Sequence, residues 1–135
     1  MTEANLTSIF AKYLKALNPK ECNVYEFKMV KGNRFLFINV KDHQLEGLLN
    51  ARSGLWYKIM DSPFGGNNQR FTSKKPFDAV WIVANNAYVV PIFYKERKYK
   101  IAVLIPIVDF LILNKCQKSV SLLELQEMGF LEYSL

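Results

Sequence analysis

The sequence predicts an α+β fold in which helices flank a central mixed sheet. Three observations carry this expectation: apolar residues at helical spacing near the start of the chain, several short runs rich in β-branched and aromatic residues, and cap and turn signals between them. At 135 residues, half of them apolar and 14% aromatic, the chain can bury one core and is too short for two ordinary ones. Residues 1–135 are therefore expected to form a single domain.

Leu6, Ile9, Phe10, Tyr13, Leu14 and Leu17 share one face of a helix, with Pro19 just beyond its end. Residues 22–30 alternate as a strand, Lys31-Gly32-Asn33 supplies turn chemistry, and Arg34 to Ile38 reads as the second strand of a hairpin. Asp42 is placed to cap a helix through about Arg52, with Leu45, Leu48 and Leu49 facing inward and Gly54 as its stop. His43 and Gln44 then fall in its first turn. Leu55 to Met60 reads as a strand ending at Asp61.

Residues 62–75 are rich in Gly, Asn, Ser and Thr and read as a long exposed loop. Two β-prone runs, Phe77 to Val83 and Ala87 to Tyr94, flank Asn85-Asn86 as a hairpin would, and Pro91 favours an edge or bulged position. The basic turn Lys95 to Lys100 leads into a further strand to about Ile105, the start of an apolar run to Leu113 that continues into another core segment. Ser121-Leu122-Leu123-Glu124 has the spacing of a capping box, which predicts a last helix to Met128 with Gly129 as its stop.

Eighteen Lys and Arg against twelve Asp and Glu give a net charge of +6, an excess that suits polyanionic partners. Cys22 and Cys116 stand far apart with no C-x-x-C or Cys/His grouping, so neither a zinc site nor a disulfide scaffold is indicated. The first residues carry no basic-then-apolar leader, and no apolar run approaches the length of a membrane span. A cytoplasmic protein with two free thiols is expected. The absence of a P-loop, a dinucleotide fingerprint and a Ser-His-Asp order argues against nucleotide hydrolysis, redox chemistry and acyl transfer.

The chemistry-bearing stretch is Val24-Tyr25-Glu26-Phe27-Lys28. Strand side chains alternate, so Glu26 and Lys28 share one face while Tyr25, Phe27 and Met29 take the other. Metal-dependent phosphodiester hydrolysis needs carboxylates to hold a hard cation such as Mg²⁺ or Mn²⁺, a water to be deprotonated, and a nearby ammonium to stabilise developing charge. Glu26 and Lys28 supply one carboxylate and the ammonium. Asp78, which opens an apolar strand where a carboxylate has no packing role, is the best second metal ligand. Gln44 is placed to add a side-chain carbonyl, His43 to act as a base, and Glu3 to approach from the first helix. The bland alternative for Glu26 and Lys28 is an i, i+2 ion pair on a strand face, worth on the order of 0–1 kcal/mol.

Tyr25-Glu26-Phe27-Lys28, Phe35-Leu36-Phe37 and His43-Gln44-Leu45-Glu46-Gly47-Leu48 together resemble the E-x-K strand, connecting hairpin and His-Gln helix of Holliday junction resolvases of the phage and bacterial types, in the PD-(D/E)XK nuclease superfamily. The similarity runs over about residues 22–60. It implies a restriction-endonuclease-like sheet, with Glu26 on the metal and Lys28 on the water or transition state. In that family the aspartate strand precedes E-x-K. Here Pro76-Phe77-Asp78 follows it by about fifty residues, as a permuted version of the fold would allow, with Asp61 or Glu21 as alternatives.

The expected function is thus a Mg²⁺-dependent, structure-selective DNA endonuclease acting in recombination and repair, with Glu26, Lys28, Asp78 and Gln44 as catalytic residues and Glu26 and Asp78 as metal ligands. Arg34, Lys58, Arg70, Lys74 and Lys75 are its candidate phosphate contacts. A homodimer would match the paired cleavage sites of a four-way junction. The alternative is a non-catalytic nucleic-acid-binding or assembly protein on the same scaffold.

Overall fold

A computed structural model of the chain describes residues 2–17, 22–58 and 79–135, with the backbone alone described at 55–58 and 79–82. The helical spacing at the start of the chain forms α1 (Glu3–Leu17), which buries Leu6, Phe10 and Leu14, one residue per turn. The alternating run after it is β1 (Asn23–Val30), followed by β2 (Arg34–Leu36), a 3₁₀ turn over Phe37–Asn39, and α2 (Asp42–Ser53). Gly54 closes α2 at φ 102°, a backbone conformation in which a Cβ would be strained. The chain continues through β3 (Leu55–Lys58), β4 (Ala79–Ile82), β5 (Asn86–Lys95), β6 (Tyr99–Pro106), α3 (Ile107–Cys116), β7 (Ser119–Ser121), α4 (Leu122–Glu127) and β8 (Leu131–Ser134).

The central sheet has the order β1-β5-β6-β8. β1 runs parallel to β5, and the β5–β6 and β6–β8 pairs are antiparallel, so the sheet is mixed and the fold is α+β. Alternation sends Phe27, Val90, Ile92, Ala102 and Leu104 to the face covered by α1. Val30, Val89, Phe93, Val103 and Ile105 point the other way, onto Leu48 of α2, Phe110 of α3, and Phe35, Phe37, Val120 and Leu125. Both faces of the sheet are therefore buried, which is why β5 and β6 read as nearly unbroken apolar runs. Phe110 anchors the second face, with ring centroids 5.2 Å from Phe37 and 6.4 Å from Phe35. Ser121 caps α4 by accepting the Glu124 N–H at 3.1 Å while Glu124 accepts the Ser121 N–H, the expected capping box.

Strand partners differ from the sequence expectation in two places. β2 does not fold back on β1; it pairs antiparallel with β7, Phe35 opposite Val120, because Phe35 and Phe37 are drawn into the aromatic cluster around Phe110. Nor does Asn85-Asn86 turn a hairpin. β4 pairs with β3 and β5 with β1, while the Asn85 N–H donates to the Cys22 carbonyl at 2.6 Å and its side-chain oxygen accepts the Cys22 N–H at 2.9 Å. Asn85 thus sets the register of the parallel pair rather than reversing the chain.

Pro91 lies in a central strand, not at an edge. The β5–β6 pairing breaks between Val89↔Ile105 and Ile92↔Ala102, so the missing N–H of Pro91 falls in the gap. α2 begins one residue earlier than expected: Lys41 is its N-cap and Asp42 its first helical residue. Leu49 is exposed, and Ala51 is buried in its place. The core segment after β6 is a helix, α3, with Pro106 just before its first turn. Both thiols are free and exposed. Among the described residues no helix is long and apolar enough to cross a membrane.

Candidate functional site

β1 projects Glu26 and Lys28 from the face that α2 and α3 cover, between Val24 and Val30. Lys28 Nζ lies 3.3 Å from Glu26 Oε1, and the two side chains are only 15% and 27% exposed. A carboxylate and an ammonium with so little water access lose solvation that apolar residues at the same positions would not lose. The pair is also local. It joins two positions of one strand and ties no second element to it.

The strand beneath the pair is held firmly. On the opposite face, Tyr25 stacks on Tyr88 with centroids 5.6 Å apart and an interplanar angle of 15°. β1 is an outer strand of the four-stranded sheet. Glu3 of α1 reaches its backbone, accepting the Met29 N–H at 2.9 Å. The acid expected to approach the site from the first helix therefore supports the strand that carries the pair. A cleft of about 460 Å³ opens at the end of β1 between Met29, Lys31, Arg34 and Asn39.

Gln44 lies in the first turn of α2, as expected, and its side-chain oxygen accepts the Lys41 N–H at 2.9 Å. This is the reciprocal half of a capping box; lysine has no acceptor with which to complete the other half. His43 is exposed beside it. A larger cleft, about 580 Å³, adjoins this helix start and is lined by Phe37, Ile38, Lys41, Asp42, Asn114 and Lys118. Neither Glu26 nor Lys28 lines it.

Arg34 is committed elsewhere. Its guanidinium donates to both carboxylate oxygens of Glu124, at 3.0 and 3.3 Å, and to the hydroxyl and carbonyl of Ser119, at 2.9 and 3.2 Å. The Arg34 hydrogen bond holds the Glu124 carboxyl below its ordinary value; desolvation opposes this, and the Ser121 N–H and the Arg34 charge reinforce it. Sequence reasoning found Glu124 as a helix cap but missed its second role, because a partner ninety residues upstream leaves no local signal.

Lys58 stands in β3, where the backbone alone is described. Asp78, Arg70, Lys74, Lys75, Asp61 and Glu21 lie outside the described residues. β4, the strand that Asp78 precedes, pairs with β3 in a sheet separate from that of β1. Of the predicted catalytic residues, the structure brings Glu26 and Lys28 into contact. Among the described residues no group of three or more His, Cys, Asp or Glu is positioned to hold a metal ion. Glu26 offers one hard oxygen donor group, so a divalent cation here needs a further carboxylate from outside that set.

Comparison of the chain with protein-family models, curated proteins and solved structures finds no match.

Proposed function

We propose that the chain is a metal-dependent, structure-selective DNA endonuclease of the Holliday junction resolvase type, built on a PD-(D/E)XK-like scaffold. One observation carries this reading: the Glu26–Lys28 pair, spaced as E-x-K, is mostly withdrawn from water on a core-facing strand and links no two elements. Functional sites are where such a solvation cost is tolerated. Two further features support it, the His-Gln start of α2 and the net charge of +6.

In this reading Glu26 and Asp78 would hold Mg²⁺ or Mn²⁺, which would supply Lewis acidity toward a phosphodiester. Lys28, beside Glu26, would donate toward the phosphoryl oxygens as their charge develops. Glu3 and the Tyr25–Tyr88 stack fix the strand, so the donor does not have to be ordered at the moment of reaction. Lys58, Arg70, Lys74 and Lys75 would contact phosphates. Arg34 would join them only by giving up Glu124 and Ser119. A homodimer would place two such sites on a four-way junction.

A second reading, a nucleic-acid-binding protein without catalysis, draws on the closed 3.3 Å ion pair, in which Lys28 already neutralises the carboxylate a metal would need. The two readings divide on one assay. Wild-type protein is incubated with a labelled four-way junction and Mg²⁺ or Mn²⁺, with linear duplex and single strands as competitors. Paired nicks that require the divalent ion and resist competition support the nuclease; tight binding with no cleavage under any divalent metal supports the second reading.

A further inference from the structure

Half of the chain's net charge is concentrated at one tip of the central sheet. The whole chain carries +6, and Lys95-Glu96-Arg97-Lys98-Tyr99-Lys100 holds four cations and one acid, a net +3. These residues close the β5–β6 hairpin, and Lys95 to Tyr99 are all exposed. The ion pairs among the described residues are Lys28–Glu26 and Arg34–Glu124, so none of the four cations is in ion-pair contact with a described acid, and Glu96 offsets one charge of the four.

The tip is a fixed structure rather than a floppy tail of charge. Lys95 pairs with Tyr99 and Tyr94 with Lys100, and the Lys98 N–H donates to the Lys95 carbonyl at 3.0 Å. The turn places Arg97 at φ 61°, a left-handed conformation that glycine or asparagine adopts at less cost. The sequence keeps a cation there. Leu135 donates its N–H to the Lys100 carbonyl at 3.1 Å, and a groove of about 330 Å³ runs between the two tyrosines, the basic side chains and Leu135.

We propose that this hairpin is a docking surface for the phosphate backbone of nucleic acid. Unpaired cations on a rigid turn suit a polyanion whose charges repeat at short, regular spacing. Tyr99, 39% exposed, adds a ring face for sugar or base. An anionic membrane fits less well, because the exposed apolar groups beside these cations are Tyr99 and Leu135 alone, too few to form the apolar face that enters a bilayer interface. β1 and β5 run in the same direction toward the hairpin. Lys28 is in register with Pro91, so Lys95 lies about 13 Å further along the sheet at 3.3 Å per residue. The surface needs only a polyanion and does not depend on Glu26 or Lys28 being catalytic.

The test is binding of a short labelled DNA duplex in EDTA across a salt series. The hairpin variant carries Lys95→Gln, Arg97→Gly and Lys98→Gln; glycine removes the charge and relaxes the left-handed turn, so the fold is retained. A control variant, Lys12→Gln, Lys15→Gln and Lys115→Gln, removes the same charge from exposed helix positions. The expected result is a loss of affinity of about tenfold or more and a salt slope shallower by about 2–3 in the hairpin variant, with the control close to wild type. Equal losses in both variants, an unchanged slope in the hairpin variant, or wild-type protein that binds phosphatidylserine vesicles or nothing at all in place of duplex would each overturn the proposal. Duplex binding through the hairpin with no cleavage under any divalent ion would overturn the nuclease reading alone.

Discussion

Two ion pairs in this molecule look alike on paper and differ in what they hold together. Arg34–Glu124 joins residues ninety positions apart, with the guanidinium on both carboxylate oxygens and on Ser119, so it ties β2 to β7 and to the start of α4. Its side chains are 47% and 39% exposed, where solvation costs little. Glu26–Lys28 joins neighbours on one strand, is far less exposed, and closes no loop of chain. The first pair accounts for itself as structure. The second carries a solvation cost without a tertiary return, and this difference is the reason to assign it chemistry.

The largest effect that sharpens the contrast is expected at Lys28. Lys28→Ala should lower divalent-dependent junction cleavage by about 10²-fold or more and also cost about 1–3 kcal/mol of unfolding stability, because it leaves the Glu26 carboxylate withdrawn from water without its counter-charge. Single-turnover rates and urea unfolding of the same preparation read both numbers. A stability loss with unchanged cleavage would make the pair structural and erase the distinction. Next in size is Ser121→Ala, which removes the α4 cap and should cost about 1 kcal/mol in unfolding with cleavage unchanged.

The smallest effect separates the pairs by pH. The folded carboxyl of Glu124 lies below its ordinary value of 4.5, so its stabilising contribution is complete above that value and is lost as pH falls through the lowered folded value. Glu124→Gln should therefore lower the thermal midpoint at neutral pH and flatten its decline on the acid side. Midpoints that fall with acid as steeply as in wild type would remove Arg34–Glu124 from the structural account.

What the sequence made legible was local. Spacing of Leu6, Phe10 and Leu14 marked α1, Gly54 marked the end of α2, and Ser121 with Glu124 marked α4, because each signal acts within a turn or two of chain. Partner choice was not legible. The turn residues Lys31-Gly32-Asn33 and Asn85-Asn86 suggested hairpins, yet β2 went to β7 and β5 to β1, choices decided by the Phe35–Phe37–Phe110 cluster and by Asn85 binding Cys22 across sixty-three residues. β8 went unnoticed because four residues of modest β propensity become a strand only by pairing with β6. The site follows the same division. Alternation alone put Glu26 and Lys28 on one face, but their withdrawal from water depends on the helices packed over that face. Gln44, read as a possible carbonyl for the site, was legible in position and not in use, since its oxygen closes the start of α2.

The central claim rests on Glu26, and one substitution addresses it most directly. Glu26→Gln keeps the shape and the hydrogen-bonding reach of the side chain and removes only the charge that would hold a divalent cation. Cleavage of a four-way junction by this variant is compared with wild type over a Mg²⁺ and Mn²⁺ series, with DNA affinity in EDTA measured alongside. The expected result is loss of cleavage by about 10²-fold or more at every metal concentration, with affinity close to wild type and a thermal midpoint lowered because Lys28 loses its counter-charge. Wild-type cleavage by a folded Glu26→Gln protein would contradict the account and return the pair to the status of an ordinary strand-face salt bridge.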